Sequence, residues 1–352
     1  MQPTIIRPLD ASRCGSDLVG LIITQEVRIP PSRRAAFHKG HQITPDDLPI
    51  LATLERDVHA VRLDPDDVHE DCAARRLAEL IHGEGMMLRN PVQSRINIAA
   101  VRKGLLRVDA AAVLEVNTID GIGIFTAPDR LPVVPGKIVA GAKIAPVAIP
   151  ASILDEIADY LASRSGRLLE VKPFLPLVAG VIVTEGLNEK IRERFELSVR
   201  KKMAWYGASV LRFDHVTNDA EAVANAAKCQ LAEGATLLLS AGGNMMDPLD
   251  ASIQALPMFD ATLVRHGAPA HPGSMFWLGY TDRERVPIVN LASCSMYSRS
   301  TVADLVLPWV MAGEQVTSRD LATLGYGGLL DRNMGWRFPP YDEETVDEPD
   351  EE

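Results

Sequence analysis

Leu237-Leu238-Leu239-Ser240-Ala241-Gly242-Gly243-Asn244-Met245-Met246-Asp247-Pro248-Leu249-Asp250-Ala251-Ser252 is an apolar strand that runs into a double glycine and then a short loop. Two carboxylates, Asp247 and Asp250, stand three residues apart where a helix is expected to open. Glycine lets backbone N–H groups approach a ligand closely, and a helix N-terminus directs such groups at an anion. The order strand, glycine turn, helix points to an α/β fold with a ligand at the turn.

The residues before this stretch repeat the pattern. Leu177 to Thr184 is a continuous apolar strand, and Glu189 to Tyr206 places Ile191, Phe195, Val199, Met203 and Tyr206 on one helical face before Gly207. Leu211 and its neighbours form the next strand. A helix from Asp219 to Glu233 opens behind Asn218 and stops at Gly234, and Ala235 to Ser240 completes the series. The expected fold is a mostly parallel sheet with helices on both faces. Downstream, Met275 to Tyr280 and Val286 to Leu291 read as strands around the charged turn Thr281 to Arg285. Helices from about Arg299 to Ala312 and from Ser318 to Leu324 follow.

The N-terminal half has a different texture. Thr44-Pro45-Asp46-Asp47 and Asp64-Pro65-Asp66-Asp67 each combine a capping residue, a proline and first-turn acids, so each is expected to start a helix, the second over Val68 to Ile81. From Ser94 to Ile149 most residues are β-formers separated by turn residues. The chain is therefore divided into a smaller α+β region over 1–166, β-rich at about 94–150, an α/β domain over 167–330, and an acidic tail over 331–352 expected to be disordered.

Composition narrows the function classes. The formal charge is −11, but eight acids and no bases fall in Asp342–Glu352, so the remainder carries about −3. No basic stripe with interleaved aromatics occurs, which argues against nucleic-acid binding. Cys14, Cys72, Cys229 and Cys294 are scattered without a C-x-x-C pair, as expected of reduced thiols in a cytoplasm. No apolar run is long enough to span a bilayer, so neither export nor membrane insertion is expected.

The loop Gly242-Gly243-Asn244-Met245-Met246-Asp247-Pro248-Leu249-Asp250-Ala251-Ser252, with Ala255 three residues on, resembles the pterin-binding loop of the molybdenum-cofactor biosynthesis (molybdopterin-binding) domain family, G-G-T-G-x-x-P-R-D-x-T-x-x-A. Gly242, Gly243, Pro248, Asp250 and Ala255 match without a gap, and Ser252 stands for a threonine. Asn244, Met245 and Leu249 depart from the pattern. Val181-Ile182-Val183-Thr184-Glu185-Gly186 resembles the family's first strand and threonine loop. His271-Pro272-Gly273-Ser274-Met275 resembles its Lys-Pro-Gly loop, and Asn290-Leu291-Ala292-Ser293-Cys294 stands where Leu-Pro-Gly is usual. The resemblance covers about 177–313 and is similar to molybdopterin adenylyltransferases and molybdenum insertases. Gly40 to Leu48 and Gly104-Leu105-Leu106 resemble upstream segments of bacterial proteins that carry this domain.

The resemblance implies molybdopterin as ligand or substrate, bound by Gly242, Gly243, Asn244, Ser252, Thr184, Glu185, Pro272, Gly273, Ser274, Ser293 and Ser295. It implies Asp250 and Asp247 as the catalytic pair, holding Mg²⁺ or accepting from pterin N–H groups. ATP and molybdate are the implied co-substrates, for adenylyl transfer to molybdopterin or molybdenum transfer into it. The implied partners are the adenylylated pterin, a cofactor-assembly protein or a molybdoenzyme, and a second copy of this chain. Family members bring a cation to the phosphates, whereas Leu249 and His271 or Ser274 occupy the arginine and lysine positions here. Loss of that cation weakens charge stabilisation in phosphoryl transfer, so a non-catalytic carrier or sensor is the alternative, and a structural subunit with a degenerate groove a third reading. Two further sequences invite a metal reading. His38-Lys39-Gly40-His41 lacks a third ligand and reads as a solvated loop, and in His69-Glu70-Asp71-Cys72 the cysteine is expected in the core.

Overall fold

The computed structural model describes residues 1–8, 15–29, 34–92, 94–164, 166–242, 247, 249–291 and 301–342. The chain forms two compact units. The first comprises Met1–Val101, Arg107–Asp129 and Gly136–Glu170, the second Arg102–Leu106, Arg130–Pro135 and Val171–Glu352.

The first unit is built on antiparallel pairing. Arg95–Ala100 and Ile138–Ile144 pair at the centre of a four-stranded sheet, flanked by Met86–Leu88 and Ile122–Thr126. Helix Glu70–Ile81 packs on that sheet because Ala73, Ala74, Leu77, Ala78 and Ile81 recur at helical spacing and are fully buried. Thr44 opens its helix as expected, with Asp47 closing a capping box. The second expected start is displaced. Asp67 accepts the Asp64 N–H at 2.9 Å and Asp67–His69 pairs with Ala148–Pro150, so the helix begins only at Glu70, capped by His69. Cys72 is exposed rather than in the core.

The second unit carries β1 (Val178–Val183), α1 (Glu189–Trp205), β2 (Ser209–His215), α2 (Ala220–Ala232), β3 (Leu237–Ala241), α3 (Ala251–Ala255), β4 (Ala261–His266), β5 (Trp277–Thr281), β6 (Pro287–Leu291), α4 (Val302–Met311) and α5 (Ser318–Thr323). The sheet order is β2-β1-β3-β6-β5-β4. Pairings among β2, β1, β3 and β6 are parallel, while β6–β5 and β5–β4 are antiparallel. The expected mostly parallel sheet is thus corrected to a mixed one, and pairing in the first unit is antiparallel among the described residues. A tight turn joins β5 to β6, which leaves no crossover and forces that pair antiparallel. Strand β4 gave no periodic signal distinct from the irregular loops around it.

Alternation along the strands sorts the core. Val181, Val183, Leu237, Leu239 and Val289 face α1 and α4, packing with Phe195, Val199 and Val306. Ile182, Leu238 and Ile288 face the other side with Val223 and Ala227 of α2 and Ala251 and Ala255 of α3. Helices therefore cover both faces. Leu105, from a short upstream piece, completes the first of these cores. The run expected to begin a tail instead holds a 3-10 helix over Arg332–Arg337 and a buried Phe338, and residues 343–352 lie outside the described residues.

Candidate functional site

Strand β1 lies between β2 and β3, so the chain leaves it to one side and returns to the other. The carboxyl ends of two such parallel strands open a crevice in which ligands of doubly wound sheets bind. At that point Thr184 donates its backbone N–H to the Ala241 carbonyl at 3.0 Å, holding the loop after β1 against the end of β3. Gly242 follows with a φ of 103°. A Cβ there would lie 2.7 Å from Thr184 Oγ1 and 2.9 Å from the Glu185 nitrogen, so only glycine admits this approach. Thr184 Oγ1 and Glu185 Oε2 are buried atoms with no hydrogen-bond partner among the described residues. A hydroxyl and a carboxylate oxygen without partners, at the switch point, are groups a polar heterocycle would satisfy.

The two aspartates have different surroundings. Asp247 is exposed, its carboxylate accepting the Leu249 N–H at 2.9 Å and its carbonyl the Asp250 N–H at 3.0 Å. Asp250 is 5% exposed, and its carboxylate accepts the Ser252 N–H at 3.0 Å as the cap of α3. The helix expected to open near Asp250 is short. Helix α3 has five residues and passes into a 3-10 turn over Leu256–Phe259, because Pro257 lacks the N–H needed to continue it. So short a helix sums little dipole. Leu249, at the arginine position, is 76% exposed and brings no charge.

Ala241 pairs with Leu291, so the end of β6 lies beside the end of β3. Gly273, with a φ of 109°, sits where a Cβ would be 2.8 Å from the Val302 nitrogen, which sets the His271–Met275 loop against the start of α4. Pro272 is half-buried and Ser274 exposed, its carbonyl accepting the Ala268 N–H at 3.0 Å. Ser252 is not at the mouth of the crevice. It is 2% exposed, with its hydroxyl in the interior. Gly243, Asn244, Ser293 and Ser295 lie outside the described residues.

A buried polar network went unread in the sequence. Asp304 accepts from Lys202 Nζ at 2.6 Å, from the Tyr341 hydroxyl at 3.1 Å and, in a capping box, from the Thr301 N–H at 2.9 Å. Tyr341 and Tyr206 share a hydroxyl contact at 3.0 Å. The Thr301-x-x-Asp304 spacing was a legible capping signal, but its partners come from positions 100 residues upstream and nearly 40 downstream. Burial holds both tyrosine hydroxyls well above the usual phenol range. Above the unfolded phenol pKa of about 10 the unfolded chain loses protons that the folded chain keeps, so stability is complete below that pH and falls above it. The expected slope is about 1.4 kcal/mol per pH unit for each tyrosine. Denaturant titrations from pH 9 to 11 should show this loss, with a shallower slope in Tyr341→Phe; equal slopes would exclude the pair as its source.

No group of three or more His, Cys, Asp or Glu side chains suited to a metal ion occurs among the described residues, and no helix among them is long and apolar enough to cross a membrane. No family model and no curated protein matches the chain. Solved structures similar to it include a protein from Corynebacterium diphtheriae assigned to molybdenum cofactor biosynthesis, at 20% identity over 38% of this chain and 93% of that one, with a TM-score of 0.28. A molybdopterin biosynthesis protein from Mycobacterium abscessus is 16% identical over 39% of this chain and 93% of its own, with a TM-score of 0.28. The molybdopterin biosynthesis MoeA protein from Pyrococcus horikosii is 12% identical over 70% of this chain and 79% of its own, also at 0.28. At such TM-scores the function rests on the site itself.

Proposed function

We propose that the crevice between the ends of β1 and β3 binds molybdopterin and that the protein acts in assembly or handling of the molybdenum cofactor. The observation that carries this reading is the close seat of Gly242 on Thr184 and Glu185, whose buried Oγ1 and Oε2 have no partner among the described residues. A carboxylate accepts from the N–H edge of a pterin ring, and the hydroxyl both donates and accepts. The loop resemblance from Gly242 to Ala255 supplies the ligand's identity. Asp247, exposed at the rim, is suited to bind Mg²⁺ beside a phosphate, since Mg²⁺ takes one or two carboxylates and keeps several waters. Asp250 caps α3 and positions the turn.

The uncharged, exposed Leu249 favours a carrier or sensor over a transferase, because adenylyl transfer from ATP and molybdate insertion both develop charge that a cation would stabilise. The reading also carries a cytoplasmic, self-associating protein that passes its ligand to an assembly partner or a molybdoenzyme. Titration of the purified chain with molybdopterin, with and without Mg²⁺ and ATP, tests it. Tight binding by the parent, weakened at least about tenfold in Thr184→Val, is expected. Release of pyrophosphate in the ATP arm would make the protein a transferase, and binding without it a carrier. Absence of molybdopterin binding by the parent chain would overturn the proposal.

A further inference from the structure

Beneath the crevice, on the α2 and α3 side of the sheet, lies an internal void of about 10 Å³. Its wall is mostly aliphatic and aromatic, with three polar exceptions: Ser240 on β3, Ser252 on α3 and Trp277 on β5. These residues are 3%, 2% and 1% exposed. Ser240 Oγ, Ser252 Oγ and Trp277 Nε1 are all buried without a hydrogen-bond partner among the described residues. Three such orphans around one void are unusual, since most buried polar groups are paired and each unpaired one carries a desolvation penalty.

We infer that this void is a binding site for a single structural water, held by Ser240 Oγ, Ser252 Oγ and Trp277 Nε1. Size and chemistry agree on the occupant. The volume accommodates one water and nothing larger, and a buried water needs two to four polar partners. The indole N–H only donates, so it requires an acceptor, and neither serine hydroxyl is bonded to it. A water accepts from the indole and still donates to both hydroxyls. Every partner then gains a bond.

The site has a positional consequence. Ser240 is the penultimate residue of β3, two before Gly242, and Ser252 donates its N–H to the Asp250 carboxylate that caps α3. The water therefore ties the strand that enters the glycine loop to the turn that leaves it. This inference stands independently of what the crevice binds.

The sign of one substitution decides it. If Ser240 Oγ bonds a water, Ser240→Ala removes a made hydrogen bond and should lower Tm by about 2–4 °C. If the void is dry, the same change deletes an unsatisfied hydroxyl, and Tm should stay constant or rise. A direct readout accompanies it: the Trp277 indole N–H of the full chain should show an NMR cross-peak to a long-lived water, weakened or lost in Ser252→Ala. A cross-peak in the parent together with a lowered Tm in Ser240→Ala supports the site. A parent chain without the cross-peak, or an Ser240→Ala variant with unchanged or raised Tm, overturns it.

Discussion

Asp304→Ala is expected to destabilise the α/β unit by about 3–5 kcal/mol, the cost typical of removing one partner from a buried ion pair. Asp304 is 1% exposed and its carboxylate engages Lys202, Tyr341 and Thr301 together. Removing it leaves the Lys202 ammonium, itself mostly buried, without its counter-charge. The same change deletes the capping box of α4, whose ten residues are buried throughout. At about 2–4 °C per kcal/mol for a domain of this size, Tm should fall by roughly 6–20 °C. Asp304→Asn keeps an acceptor for the Thr301 N–H and should lose less. Thermal unfolding followed by circular dichroism separates the two. A fall below about 2 °C for Asp304→Ala would mean that water replaces the carboxylate without cost, against its burial.

Gly242→Ala is the second large effect, and it strikes both stability and binding. The left-handed φ of 103° alone costs a residue with a Cβ about 1–3 kcal/mol. The new methyl would also lie 2.7 Å from Thr184 Oγ1 and 2.9 Å from a backbone nitrogen that cannot rotate away. The β1 loop must move off β3, carrying with it the hydroxyl and carboxylate proposed to meet the pterin. Loss of both contacts amounts to about 100-fold or more in molybdopterin affinity. Measured binding unchanged from the parent would remove the crevice from consideration as the ligand site.

How much of this was legible follows from what each signal needs. The strands and helices from 177 to 255 could be read because their apolar periods and closing glycines are local: Gly207 and Gly234 end their helices with positive φ, while the cap of α2 is Asp219, one residue after the expected Asn218. The pairing of Thr184 with Gly242 was hinted at only by the loop resemblance, since nothing in either segment names the other. Strand β4 and the Lys202–Asp304–Tyr341 cluster were hidden for the same reason. Each depends on which distant segments meet, and pattern within a window cannot report that. Ser252 shows the limit from the other side, because a motif position gave its residue type while packing turned its hydroxyl inward.

The chain passes between its two units five times, after Val101, Leu106, Asp129, Pro135 and Glu170. No single protease cut can release either unit whole, and a gene fragment beginning near Val171 would lack the strand that brings Leu105 into the core of the second. Such interleaving means that the two halves cannot be inherited, duplicated or exchanged by joining sequences end to end.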